Sequence, residues 1–240
     1  MTFKDNKMEW KTFALYPECS VKLIDYKTEL SINLEKQIEN LWVAKKRLYP
    51  KLFNGRVFTV TLILPHQIAG YWTEYRYVSA QMENKEFNEF LSLKPLAVTG
   101  LIFCDDGFIL GKRNSNSVYL PNYWQCAPAG SVESRHEEKT VNLHEQLFVE
   151  AREELGLKKD FFSNSRILIA TQHPEKGIID IGIMLKTHLN FQQIYNYWQK
   201  KGNSEYDELI CISDLTLLPK PIIPSTRYLI KASYKDNNRI

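Results

Sequence analysis

The stretch "EQLFVEAREELGL", Glu145 to Leu157, carries three carboxylates, Glu150, Glu153 and Glu154, at the spacing of one helix face. Each helical residue advances roughly 100°, so with Glu150 at zero Glu153 falls at about −60° and Glu154 at about +40°. Leu147, Phe148, Ala151 and Leu155 share the adjoining face and would dock the helix onto a sheet. Like charges this close repel and raise one another's pKa, whereas a divalent cation keeps them all ionised. Hard oxygen donors favour Mg²⁺, with Mn²⁺ as the alternative, and Mg²⁺ usually shares its shell with water and substrate phosphates. Such a site suits hydrolysis of a diphosphate, the metal offsetting phosphate charge. The plainer reading is a solvated acidic face in which Arg152 pairs with neighbouring acids.

The surrounding elements favour the first reading. "YWQCAPAG" reads as a strand ending at Gly130, "SVESRHEEK" as a polar connection, and Gly156 stands where a left-handed helix cap would be. Upstream, "LAVTGLIFC-DDG-FILGKR" is a hairpin around an Asp-Gly turn. Downstream, "RILIATQ" and "IIDIGIMLK" are strands, and Phe191, Ile194, Tyr195 and Trp198 mark a helix. "ELICIS" is a further strand, and "PSTRYLIKASYK" is a closing helix with Ser225 as its expected cap. This order implies an α/β sandwich with a mixed sheet rather than a doubly wound parallel one.

Before Pro95 the texture differs. Leu34, Ile38, Leu41, Trp42 and Leu48 recur at helical spacing, Asn33 is placed to cap the start, and Pro50 follows the end. "RVFTVTLIL" and "GYWTEYRYV" read as neighbouring strands, and "KEFNEFL" as a short amphipathic turn or helix. Residues 1–93 are therefore expected to form an α+β extension packed on a domain spanning 94–240 and covering part of its pocket.

Composition narrows the function classes. With 240 residues, 44% apolar and 25% charged, the chain is an ordinary folded protein of one large domain or one domain with an extension. A net charge of +3 without long basic runs argues against a nucleic-acid partner. No apolar run reaches membrane-spanning length and "MTFKDNKMEW" has no signal-peptide core, so no membrane partner and a cytoplasmic location are expected. Cys19, Cys104, Cys126 and Cys211 occur singly, which suits neither zinc nor a disulfide framework; the last three lie in apolar strand-like runs as small hydrophobes.

The motif "V-E-A-R-E-E-L-G-L" resembles the signature of the Nudix hydrolases, matching E-U-x-E-E-x-G-U from Glu150 to Leu157 with Ala151 at the bulky apolar position. "PAGSVE" supplies the upstream glycine, Gly130, and an early acid, Glu133. By this resemblance the fold would be a Nudix-type α/β/α sandwich. Glu150, Glu153 and Glu154 would be metal ligands joined by the Gly130 carbonyl. Val149 stands where the family has an Arg that braces the glutamates, and the segment from Gly130 is five residues longer than the pattern; Arg135 and His136 are candidate stand-ins. These departures resemble the Nudix branch that hydrolyses UDP-glucose and UDP-galactose. "NLWVAKKRLYPKLFNGRVF", "PLAVTGLIFCDDGFILGKR" and "PSTRYLIKASYK" also look similar to that branch.

The resemblance implies an Mg²⁺-dependent enzyme that cleaves a UDP-sugar, a small-molecule nucleotide, to UMP and a sugar 1-phosphate. The alternatives are another diphosphate (ADP-ribose, a dinucleoside polyphosphate or a coenzyme A compound) or a nucleotide-binding module that does not catalyse. Lys112 and Arg113 are candidates for substrate phosphates, and Tyr119, Tyr123 and Trp124 for stacking on a base. "SEYDELICIS" places Glu205, Asp207 and Glu208 at a strand mouth, with Glu208 nearest the strand as the expected acid to orient water. His173 and Asp180 bracket a turn and are weaker candidates.

Overall fold

The computed structural model describes residues 9–26, 29–134 and 140–237. Arg135 and His136 lie outside the described residues. Among the described residues eleven strands, numbered in chain order, build two sheets joined through a shared core. The large sheet runs β1 (Lys11–Ala14), β9 (Phe162–Gln172), β10 (Ile179–Thr187), β5 (Leu96–Cys104), β6 (Gly107–Arg113), β11 (Tyr206–Ile212). Two short strands branch from it: β7 (Trp124–Cys126) pairs with β6 and β8 (Ala129–Ser131) with β5. β10 and β5 are parallel and the other pairs antiparallel, so the sheet is mixed as expected.

Alternation along the central strands sends apolar side chains to both faces. Val98 and Ile102 of β5 meet Leu147, Ala151 and Leu155 of α3 (Leu143–Leu155) and Ile194 and Trp198 of α4 (Phe191–Lys201). Leu101 of β5 and Leu110 of β6 meet Leu229 and Ile230 of α5 (Pro224–Asn237) on the opposite face. The result is a helix/sheet/helix sandwich. α3 opens on Asn142, whose side chain accepts from His144 N and Glu145 N, and closes on Gly156 at φ 70°, the left-handed cap its sequence implies. α4 opens on a capping box between Asn190 and Gln193.

The second sheet orders β2 (Ser20–Leu23), β4 (Gln67–Glu74) and β3 (Arg56–Leu64). α1 (Ile32–Leu48) and α2 (Tyr75–Glu83) cover one side, packing Leu34, Ile38, Tyr77 and Val78 around Val57 and Tyr71. Phe58, Val60 and Ile68 instead join the core of the large sheet. The backbone also connects the two sheets: Phe58 N donates to the Val132 carbonyl and Val60 N to that of Lys94. β1 belongs to the large sheet, so the N-terminal segment contributes an edge strand there as well as the smaller unit.

Several local expectations need correction. Ser31, not Asn33, caps α1, its hydroxyl accepting from Leu34 N at 3.3 Å. "GYWTEYRYV" is strand only to Glu74; from Tyr75 it is α2, where Tyr77, Ala80 and Gln81 are buried at helical spacing. "YWQCAPAG" is two strands rather than one, because Pro128 has no N–H to continue a ladder and the chain changes partner from β6 to β5. Ser225 lies inside α5 behind Pro224, which takes the first helical position that proline favours. The four cysteines are free and Cys126 is buried as expected, but Cys104 and Cys211 are only half-buried, with their Sγ atoms 3.9 Å apart.

No described helix is long and apolar enough to cross a membrane.

Candidate active site

α3 presents its acidic stripe to a cavity of about 790 Å³ at one end of the large sheet. Glu150, Glu153 and Glu154 all line it, together with Gly130, Glu133 and Arg113. The three glutamates differ in setting. Glu153 is exposed, Glu150 half-buried and Glu154 buried at 4% exposure. Glu150 accepts from Gln146 Nε2 at 2.6 Å, and its carboxyl lies against Gly130 so closely that a Cβ there would sit 2.4 Å from the carboxyl carbon. A side chain at 130 would therefore displace the Glu150 carboxyl.

Glu154 is held from behind. Its Oε2 accepts from Ala129 N at 3.0 Å and from the Tyr206 hydroxyl at 2.8 Å. Tyr206 also accepts from Gln125 Nε2 at 3.1 Å, and Gln125 Oε1 accepts from Arg113 Nη1 at 3.3 Å. A hydrogen-bonded chain therefore runs from Arg113 to the buried carboxyl. Desolvation pushes the Glu154 pKa well up and repulsion from Glu150 adds to it, against the two donated hydrogen bonds. Burial and the Glu154 charge likewise keep Tyr206 protonated, as a donor.

Arg113 is mostly buried. Its Nη1 pairs with Glu205 at 2.9 Å and its Nε donates to the Tyr119 carbonyl at 2.9 Å, which fixes the guanidinium in the cavity wall.

The structure moves several sequence expectations. Glu208 is exposed on β11 and absent from the cavity lining, because the register shifts between Tyr206 and Glu208 and turns it outward; the acid at that corner is Glu205. Asp207 is engaged elsewhere, accepting from Asn114 Nδ2 and Ser115 N. Lys112, one residue along the pleat from Arg113, does not line the cavity, and neither does Tyr123; Tyr119 does. Asp180 and His173 both line it, although they stood lowest among the candidates.

Tyr206 and Gln125 were not singled out from sequence. The available signal was Gly111 across the ladder, where a Cβ would meet the Tyr206 ring at 2.4 Å. A glycine inside "FILGKR" marks a close approach of this kind.

His173 illustrates a pH dependence. Its Nδ1 accepts from the backbone N–H groups of Glu175 and Lys176, both at 3.1 Å, so the ring must be neutral to keep them. Burial, then Lys176, lowers its pKa below 6.5, and burial lowers that of His144. For a base with a depressed folded pKa the unfolded chain binds the proton first, so stability falls as pH drops below 6.5 towards the folded values. Thermal melts on either side of that pH should show this loss. Replacing both histidines by Asn should flatten it.

As a metal site, the donor chemistry fits a hard divalent cation: carboxylate oxygens on one face, one of them buried with a raised pKa that a cation would lower. Among the described residues, no three His, Cys, Asp or Glu side chains are already arranged around a single cation position. Glu154 is drawn back by Ala129 and Tyr206 while Glu153 stays at the rim, so the expected three-glutamate set is not assembled in this arrangement.

No family model matches the chain, and no curated protein matches it. Among solved structures, it is similar to a MutT Nudix hydrolase from Burkholderia pseudomallei, with 17% identity over 58% of this chain and 97% of that one and a TM-score of 0.43. It is also similar to a MutT protein from Methanosarcina mazei, with 20% identity over 60% of this chain and 96% of that one and a TM-score of 0.44. A bifunctional NMN adenylyltransferase/ADP ribose pyrophosphatase from Francisella tularensis, complexed with AMP and a Mn ion, matches 68% of this chain and 52% of its own at 10% identity and a TM-score of 0.42. These are likenesses to other proteins; the chemistry of the site is read from its own residues.

Proposed function

We propose that the chain is a metal-dependent hydrolase of nucleoside diphosphate derivatives, acting on a UDP-sugar to give UMP and a sugar 1-phosphate. The observation that carries this reading is the shared cavity: the acidic face of α3, Gly130 and the fixed guanidinium of Arg113 open onto one space. Carboxylates beside an arginine suit a diphosphate bound through a cation on one side and a guanidinium on the other. Glu150, Glu153 and Glu154 are the residues to hold Mg²⁺, with the Gly130 carbonyl as the further oxygen donor the family resemblance implies. When bound, the cation supplies neutralisation of phosphate charge and polarisation of the phosphoanhydride.

The chain's own residues do the rest. Tyr206 and Ala129 N fix the orientation of Glu154, Gly130 admits the Glu150 carboxyl, and Glu205 steadies Arg113 toward the phosphates. The UDP-sugar assignment rests on the likeness of the longer Gly130–Val149 segment and of the flanking stretches to that branch. Soluble, cytoplasmic action without nucleic-acid or membrane partners accords with the mild charge.

The substrate is tested by a panel of UDP-glucose, UDP-galactose, ADP-ribose, diadenosine polyphosphates and coenzyme A with Mg²⁺, scored by released monophosphate. A UDP-hexose should exceed the others by at least about tenfold in kcat/KM. A preference for an adenine compound would overturn the sugar assignment while leaving the hydrolase reading.

A further inference from the structure

The proposed chemistry uses the glutamate end of the cavity and leaves its other end unexplained. β5 separates the two. Gly130 faces Val98 from β8 on one side, and Asp180 faces Ala97 from β10 on the other. Two interstrand spacings put the ends about 10 Å apart.

Asp180 sits deep in the fold yet keeps partial exposure, and it lines the cavity. Its Oδ1 accepts from the Thr99 hydroxyl at 2.7 Å, and the Ser225 hydroxyl bonds to the same carboxyl. Both partners are neutral, and no described ion pair supplies a cation. Burial raises its pKa and the two hydroxyls oppose the rise. An ionised carboxylate has about four acceptor positions, and the hydroxyls occupy two of them.

Part of the same cavity lining is aromatic, and Tyr119 within it interacts electrostatically with Asp180. Trp10, positioned by the pairing of Lys11 with Gln172, meets the His173 ring at 4.9 Å between centroids, and Tyr119 meets it at 6.2 Å. Lys176 Nζ lies 5.3 Å from the Tyr119 ring centre. Trp10, Tyr119 and His173 all line the cavity. Flat rings in the same cavity as a half-buried acceptor with no described cationic partner suit a planar heterocycle on a sugar better than they suit a phosphate, which the acid would repel.

We propose that Asp180 and the Trp10–His173–Tyr119 wall form the nucleoside-reading end of the cavity, with the base against the rings and Asp180 accepting a hydrogen bond from an N–H or O–H of the nucleoside. This rests on the nucleotide reading of the cavity and deepens it by assigning the specificity-determining residue. A purely structural role is the competing explanation, since an acid beside Ser225 also complements the positive end of α5. That role would alter stability without regard to the ligand's donors.

The test is equilibrium binding, by calorimetry, of UMP, 3-methyl-UMP and 2′-deoxy-UMP to the wild-type protein and to Asp180→Asn. The substitution should weaken UMP roughly tenfold to a hundredfold, the range of a lost charged hydrogen bond. One analogue should weaken wild-type binding by a similar factor and lose little more on the variant, because both remove the same bond. A non-additive loss with 3-methyl-UMP assigns the base as donor, and one with 2′-deoxy-UMP the ribose. Fully additive losses with both analogues, an unchanged UMP affinity in the variant, or a wild-type protein that binds none of the three would overturn the inference. Should Asp180→Asn not fold, Trp10→Ala serves: UMP should weaken about tenfold while ribose 5-phosphate is unaffected, and equal loss of both overturns it. Hydrolysis of UDP-glucose is scored separately. Binding with the expected coupling but without hydrolysis removes the enzyme reading alone, and hydrolysis with additive losses removes this one alone.

Discussion

Glu154→Gln should abolish Mg²⁺-dependent turnover, lowering kcat by at least about a thousandfold, while the protein remains folded. The amide retains the size of the carboxyl, and its oxygen can still accept from Ala129 N or the Tyr206 hydroxyl. What it cannot do is offer a charged oxygen to a cation. Stability should not fall, because burial and Glu150 already push this carboxyl toward its neutral form. The melting temperature without metal should be unchanged or higher, and any stabilisation by Mg²⁺ should shrink. Unchanged turnover would remove Glu154 from the site.

Gly130→Ala should separate activity from stability in another way. The new Cβ would lie 2.4 Å from the Glu150 carboxyl carbon and 2.6 and 2.7 Å from its oxygens, so the carboxyl must move. The obstruction is the free end of a side chain, so the cost in stability should be small, about 1 kcal/mol or less. The displaced carboxylate should lower kcat/KM about a hundredfold, the penalty for misplacing a catalytic group by about an ångström. Activity and melting temperature measured on the same preparation decide this. Full activity would mean that Glu150 need not sit against Gly130. Gly111→Ala offers the contrast: there the Cβ meets the packed Tyr206 ring, and stability should fall along with activity.

The acidic face of α3 was legible because helical periodicity fixes which side chains share a face, and Gly156 announced the helix end with the one residue suited to its φ. The mixed sheet likewise followed from the order of apolar runs. What failed was local ambiguity that tertiary contacts resolved. "GYWTEYRYV" alternates like a strand, yet its second half buries Tyr77, Ala80 and Gln81 on one helical face. "YWQCAPAG" is continuous in hydropathy, and only the change of strand partner at Pro128 divides it.

In the site, Glu208 looked best placed by proximity to a strand, but the register shift at the start of β11 gave the cavity to Glu205. Tyr206 and Gln125 act through partners far along the chain: Gln125 links Arg113 to Tyr206, and Tyr206 reaches Glu154. Spacing along one segment carries no record of such pairs. The carboxylates were visible from sequence, and the scaffolding that orients them was not.

The most direct measurement is product analysis after incubating the protein with UDP-glucose and Mg²⁺, beside an EDTA control and the Glu154→Gln variant. UMP and glucose 1-phosphate should appear only with the wild-type protein and metal. Products that persist in EDTA, or that Glu154→Gln forms at the wild-type rate, would contradict a metal-dependent site built on the α3 glutamates; no products from UDP-glucose under any condition would contradict the UDP-sugar reading.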